Sequence, residues 1–223
     1  MKTSQLTDQV LIGLSTVADG NMKALNPDDA DHVFENQTRF LNRSGFVPDQ
    51  TYLFWLDYDK TDFCHYQTVN STPDRAMQKM VGVDGLATAT RGLGLFLPLA
   101  DCLGAVIYDP VSRGGVLMVS HLGRHATEQH GATKSIEFMT SKFGTDPAKV
   151  KIWLSPVAGE CNYPLYKFEN RSLRDVNVEH FVAAGVNLAN IVGGDIDTTT
   201  DSNYFSHSCG DCNKRFAIVA KMI

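Results

Sequence analysis

Three side chains in this sequence can ligate a soft or borderline metal ion, and each stands in a distinctive setting. His65 follows an aromatic segment in Phe63-Cys64-His65. Cys102 closes the apolar run that ends Pro98-Leu99-Ala100-Asp101-Cys102. His121 closes another in Val119-Ser120-His121-Leu122-Gly123. One thiolate and two imidazoles suit zinc, and three protein donors leave a position open for water or substrate, as in catalytic zinc sites. Spacing alone carries little weight, because a lone cysteine is more often a buried inert thiol and a lone histidine more often a hydrogen-bonded core residue. Asp101, at a strand end where side chains reach a pocket mouth, reads as a support or proton-transfer group, or else as a simple strand-end acceptor. Without metal, Cys102 and His121 could also serve as nucleophile and base.

The chain has 223 residues, 43% hydrophobic and 20% charged, which is ordinary for a soluble globular protein. A net charge of −5 gives no electrostatic reason to expect nucleic acid or an anionic membrane as a partner. Five cysteines cannot all pair, and Met1-Lys2-Thr3-Ser4-Gln5 lacks an apolar leader, so reduced thiols in a cytoplasm are expected. No apolar run reaches the length of a membrane span. Cys209-Gly210-Asp211-Cys212 is a CxxC without the second pair of a structural zinc site. No helix follows it, because Lys214 onward reads as strand. Cys161 reads as a packing residue. Nothing in the sequence sets the oligomeric state.

The elements that must position these residues follow from periodicity and punctuation. Asn26-Pro27-Asp28-Asp29 opens a helix whose inner face is Val33, Gln37, Phe40 and Leu41, with Gly45 as its stop. Residues 50–57 are strand-like and 66–80 read as a polar loop. Residues 86–121 read as sheet, with runs at 93–99, 105–108 and 116–119. The loss of alternation there implies layers covering both faces. A helix after Gly123 carries Ala132, Ile136, Met139 and Phe143 and ends at Gly144. A strand at 150–154, a helix over 171–184, Ile191-Val192 and a final strand at 215–222 complete a mixed α/β chain.

Taken in order, Val83-Asp84-Gly85-Leu86-Ala87-Thr88, Leu99-Ala100-Asp101-Cys102 and Ser120-His121-Leu122-Gly123 resemble the "DALVT", "TADC" and "VHAGWRG" segments of the laccase-domain family. That family is also called polyphenol oxidase or zinc-dependent purine nucleoside phosphorylase. Phe63-Cys64-His65-Tyr66 is similar to its "QVHG", with Asp57 as the other candidate for that histidine's place; the spacing to Asp84 and Cys102 favours His65. Glu35-Asn36-Gln37, Trp153-Leu154-Ser155-Pro156, Gly193-Gly194-Asp195-Ile196-Asp197-Thr198 and Tyr204-Phe205-Ser206 are similar to further family segments, so the resemblance spans nearly the whole chain.

The resemblance implies one layered α-β-β-α domain of α+β type over residues 1–223, with mixed sheets. It implies zinc on His65, Cys102 and His121, with Cys102, His121 and Asp101 in the chemistry. Asn36, Arg124, His125 and Ser206 would face the substrate. The implied reactions are phosphorolysis of purine nucleosides and deamination of adenosine. Gly123 permits close backbone approach, and a helix start after it favours anions, so Arg124 or His125 could hold phosphate or a ribose hydroxyl; otherwise they form a solvated first turn.

The sequence also departs from the family. Arg124-His125 stand where the family has Trp-Arg. His207-Ser208-Cys209 replace an arginine, and Ser15-Thr16-Val17-Ala18-Asp19-Gly20 lacks one. Phosphate needs cations, so these losses weigh against phosphorolysis more than against a metal. Two other readings remain open: a Cys102–His121 hydrolase like bacterial toxin deamidases, which the fold resembles, and a divergent relative that keeps the metal without the activity. Copper-dependent phenol oxidation is argued against by a chain with seven histidines and no HxH pair.

Overall fold

The near-continuous apolar runs become central strands of two stacked sheets. The computed structural model describes residues 6–223, so the expectation of a leader-free start at Met1–Gln5 lies outside the described residues. In chain order the elements are β1 (Val10–Leu14), α1 (Ala30–Arg43), β2 (Thr51–Trp55), β3 (Tyr66–Thr68), β4 (Gln78–Val81), β5 (Gly85–Thr88), β6 (Gly94–Leu99), β7 (Leu103–Asp109) and β8 (Val116–Leu122). There follow α2 (Arg124–Glu128), α3 (Gly131–Phe143), β9 (Lys151–Leu154), α4 (Leu173–Ala183), β10 (Ile191–Gly193) and β11 (Phe216–Met222). One sheet has the order β1-β11-β6-β2-β4 and the other β10-β9-β7-β8-β5-β3; both mix parallel and antiparallel pairs.

Alternation along each buried strand sorts side chains into three apolar layers. Leu95, Leu97 and Leu99 of β6 meet Val106 and Tyr108 of β7 and Leu117 and Val119 of β8 between the sheets. Phe96 points the other way, onto Phe40 and Leu41 of α1. Ala105 and Ile107 point outward beneath Ile136 and Met139 of α3 and Val176 and Phe181 of α4. This is the α-β-β-α arrangement of an α+β chain that was expected.

Three local expectations are corrected. Residues 66–80 are not one polar loop. Their ends form the edge strands β3 and β4, each paired in parallel with a buried strand, and their polar composition reflects one free edge. The helix after Gly123 is two helices, broken at Gln129-His130 where His130 takes φ 59°. The runs 93–99 and 105–108 belong to different sheets, so the chain changes layers at Ala100-Asp101-Cys102. The hairpin of β7 and β8 pairs Leu103 with Leu122 and Gly104 with His121, which brings Cys102 beside His121. Among the described residues, no helix is long and apolar enough to cross a membrane.

Phe96 is fully buried and meets Phe40 edge-on, with ring centroids 6.1 Å apart. Replacing it with alanine is expected to destabilise the fold by about 3–5 kcal/mol, read as a lower urea midpoint with an unchanged denaturant slope.

Candidate active site

Asp101 occupies the crossover between sheets in a left-handed conformation, φ 71°, and is 1% exposed. Its carboxylate accepts the Thr198 hydroxyl at 2.8 Å and the Ser208 amide at 2.7 Å. Its carbonyl accepts the Ala158 amide. Both carboxylate oxygens therefore hold loops, which is the work of a positioning residue.

The next residue, Cys102, is half-buried and faces His121 across the start of the hairpin. The His121 amide donates to the carbonyl of Asp84, its ring is buried, and its Nδ1 has no partner among the described residues. Gly123 packs against both side chains. A Cβ there would lie 2.9 Å from Cys102 Sγ, 2.7 Å from His121 Cε1 and 3.4 Å from His121 Nε2. Sulfur and imidazole thus converge on one spot that only glycine leaves free.

His65 does not join them. Its backbone is tied close by: its amide donates to Asp84 Oδ2 at 2.8 Å, and its carbonyl accepts the Asp84 amide. Its ring, however, is exposed and lies 3.0 Å from Gln67 Nε2, outside the cavity that Cys102 and His121 line. Placing His65 at the start of an edge strand turns its side chain to solvent. Among the described residues no group of three or more histidine, cysteine, aspartate or glutamate side chains is arranged to hold a metal. The unpartnered His121 nitrogen and the glycine-cleared spot fit a soft cation with two donors, but the expected three-donor zinc set is not assembled. From the segment after β2 it is Leu56, Tyr58 and Phe63 that reach the cavity, not His65 or Asp57.

The cavity encloses about 360 Å³. Besides the thiol and imidazole it is lined by Lys23, Arg124 and Arg215, three cations that share no sequence motif. Asn21 binds the first and last of these: its Oδ1 accepts the amides of Lys23 and Arg215, and its Nδ2 donates to the Lys23 carbonyl. Arg124 lies over the rings of Tyr163 and Tyr166, 4.6 and 5.5 Å from the centroids, with its Nε buried and unpartnered. Among the described residues none of the three cations forms an ion pair with a carboxylate. The cavity is also lined by His125 stacked on Phe63, with ring centroids 4.7 Å apart. The positive charge that the family-like motifs lack is therefore present, drawn from both ends of the chain. Arg124 is legible at the helix start after Gly123; the signal for Arg215 is that Lys214-Arg215 stand directly before the last apolar strand, and Lys23 has none.

Charge is costly here. Burial, and then the Asp101 carboxylate, push the Cys102 thiol up to about 12. Burial, and then Lys23, Lys60 and Arg215, depress the His121 imidazole to about 3. Burial and the neighbouring Cys102 raise Tyr58 to about 12, and burial takes Tyr163 well above the usual phenol range. At neutral pH these residues form a set of uncharged hydrogen-bonding groups.

Of the remaining expected substrate contacts, Arg124 and His125 line the cavity, whereas Asn36 and Ser206 do not. Asn36 is buried under Gly20 and bonded to Arg39 and to the Asn21 carbonyl, beside a separate groove on α1. Ser206 is buried and holds its own loop, accepting the Cys209 amide through Oγ and the Asp211 amide through its carbonyl. Each is drawn away from the cavity by a local polar partner.

Comparison with known proteins agrees with this architecture. The profile of the family described as multi-copper polyphenol oxidoreductase laccase matches residues 11–171. A mouse (Mus musculus) protein named purine nucleoside phosphorylase LACC1 is 28% identical over 152 residues, 67% of this chain and 33% of that one. A Corynebacterium glutamicum protein named purine nucleoside phosphorylase Cgl2154/cg2365 is 26% identical over 136 residues, 61% of this chain and 52% of its own length. The chain thus spans a third to about half of these curated relatives. Among solved structures, YlmD from Geobacillus stearothermophilus superposes with a TM-score of 0.83 at 19% identity, covering 98% of this chain and 94% of that one. YfiH from Bacillus licheniformis gives 0.81 at 19%, covering 96% and 93%. At that identity the likeness is one of fold.

Two outcomes follow from this geometry. Gly123→Ala is expected to force Cys102 and His121 apart at an overpacking cost of about 1–3 kcal/mol, with slower alkylation of Cys102 or altered His121 NMR shifts as the local readout. Burial, and then Arg215, lower Lys23 to about 8. Lys23 is therefore cationic below that pH and neutral above it. Affinity for inorganic phosphate, measured by calorimetry, should fall roughly three- to tenfold between pH 7 and 9.5, as expected from losing one of three cations. That fall should vanish in Lys23→Met.

Proposed function

This chain belongs to the family described as multi-copper polyphenol oxidoreductase laccase, and from that footing we propose that it is an enzyme that cleaves purine nucleosides with phosphate. The observation that carries the reading is the cluster of Lys23, Arg124 and Arg215 around one cavity, without carboxylate partners among the described residues. A phosphate dianion needs such cations, and a guanidinium meets it through paired donors. The Phe63–His125 stack and the ring of Tyr163 offer aromatic faces to a purine.

In this reading an oxygen of hydrogen phosphate attacks the anomeric carbon while the glycosidic bond breaks, its electrons pass to the base, and the proton given up by the phosphate ends on the base. The products are the free purine and ribose 1-phosphate. The cations orient the phosphate and offset its charge. The neutral Cys102 thiol, the His121 imidazole and the phenols of Tyr58 and Tyr163 can hydrogen-bond the base as it gains electron density. Zinc was expected on His65, Cys102 and His121. With His65 outside, no step is assigned to it. The family description also names copper oxidation, which the seven histidines without an HxH pair argue against. A Cys102–His121 hydrolase would need a thiolate and an imidazolium, which burial opposes at both residues.

The test is incubation of adenosine, inosine and guanosine with the purified protein, with and without phosphate. Phosphate-dependent release of free base and ribose 1-phosphate is expected. Arg124→Ala and Arg215→Ala should each raise the KM for phosphate roughly 10- to 100-fold, the size of a lost charge-assisted hydrogen bond. Ammonia released from adenosine without phosphate would assign deamination instead. No turnover of any nucleoside would leave a binding protein that lacks the family's activity.

A further inference from the structure

The motif that this function does not absorb is Cys209-Gly210-Asp211-Cys212. It is not a metal site: among the described residues no further histidine, cysteine, aspartate or glutamate completes a set with the two thiols. Both cysteines are exposed and free. They sit on a loop that doubles back on itself. The Asp211 amide donates to the Ser206 carbonyl at 2.9 Å, and Gly210 takes φ 109°, a conformation other residues rarely adopt. The CxxC spacing is that of exchange-active dithiols.

What makes the loop more than a surface turn is what it holds. One residue before Cys209, the Ser208 amide donates to Asp101 Oδ2 at 2.7 Å, so the loop secures the crossover that carries Cys102. At its other end the Cys212 carbonyl accepts Arg215 Nη1 at 3.0 Å, and Arg215 lines the cavity, as does His207. The two sulfurs rest on different carbonyls: Cys209 Sγ lies 3.4 Å from that of Thr199, and Cys212 Sγ lies 4.0 Å from that of His207. A bond between them would lie inside the segment bounded by these two attachments.

We propose that Cys209 and Cys212 form a dithiol that closes to a disulfide by exchange with a glutathione-type disulfide, and that closure shifts the loop anchoring Asp101 and Arg215. One thiolate attacks a sulfur of the glutathione disulfide, and the glutathione released takes up the proton. The second cysteine then attacks the mixed disulfide, the Cys209–Cys212 bond forms, and the second glutathione leaves. The two cysteines lose two electrons and the glutathione disulfide gains them. Reversible closure of this kind suits a protein in a reducing compartment, where disulfides are transient and sensing.

The test equilibrates the full chain in glutathione buffers of graded redox ratio, blocks the remaining thiols with iodoacetamide and maps the peptides. A Cys209–Cys212 disulfide is expected, with Cys64, Cys102 and Cys161 alkylated. Amide hydrogen exchange over 206–212 and over the Ala100–Cys102 crossover should differ at least threefold between open and closed forms. The Cys209→Ser, Cys212→Ser double variant should show no response to the redox ratio. Glutathione adducts without closure, pairing of Cys209 with Cys161, or equal exchange in both forms would overturn the proposal. None of these readouts uses nucleoside turnover, so the proposal stands or falls apart from phosphorolysis.

Discussion

The cavity depends on one buried carboxylate at the point where the chain passes from one sheet to the other. A short crossover between stacked sheets must turn sharply, and Asp101 turns it in the left-handed region, at a cost of order 1 kcal/mol that surrounding bonds must offset. They do so through the Thr198 hydroxyl and the Ser208 amide, both from the β10–β11 connection, and the Ala158 amide from the β9–α4 connection. Those loops are thereby gathered around Cys102. The same residue turns the backbone, positions the thiol and assembles the wall.

Around that point the molecule combines two kinds of polar group. Cys102 and His121 are held neutral by burial, while Lys23, Arg124 and Arg215 line the same cavity without carboxylate partners among the described residues. Asp84 makes a parallel link on the other side. Its carbonyl fixes the backbone of His121 and its carboxylate that of His65, with Lys60 as its ion partner at 2.9 Å. The laccase-like motifs therefore persist here as backbone scaffolding even where a ring, as at His65, points elsewhere.

Much of the framework was legible in the sequence because burial on both faces leaves unbroken apolar runs. The strands at 93–99 and 116–119, the inner face of α1 and the stripe of α3 are all read from periodicity. Edge strands β3 and β4 were not, since a strand paired on one side only keeps a polar composition. The sheet change at Asp101 was also hidden, because no local pattern distinguishes a crossover from a tight hairpin. Within the site, Cys102, His121, Arg124 and His125 were found from their places at strand and helix ends. His65 was a sound choice of residue type whose side-chain direction only the register of β3 could decide. Lys23 and Arg215 escaped because their nearness is a fact of topology: they are 192 positions apart and meet through Asn21.

That meeting follows from the antiparallel pairing of β1 with β11, in which Val10 faces Met222. A contact so distant along the chain cannot form until β11 has paired with β1 and β6. Until then β6, at the centre of its sheet, has one open edge, and the cavity lacks Arg215. The cavity wall is therefore closed by a pairing between segments far apart in the sequence, the kind of contact whose loop-closure entropy makes it slow to form.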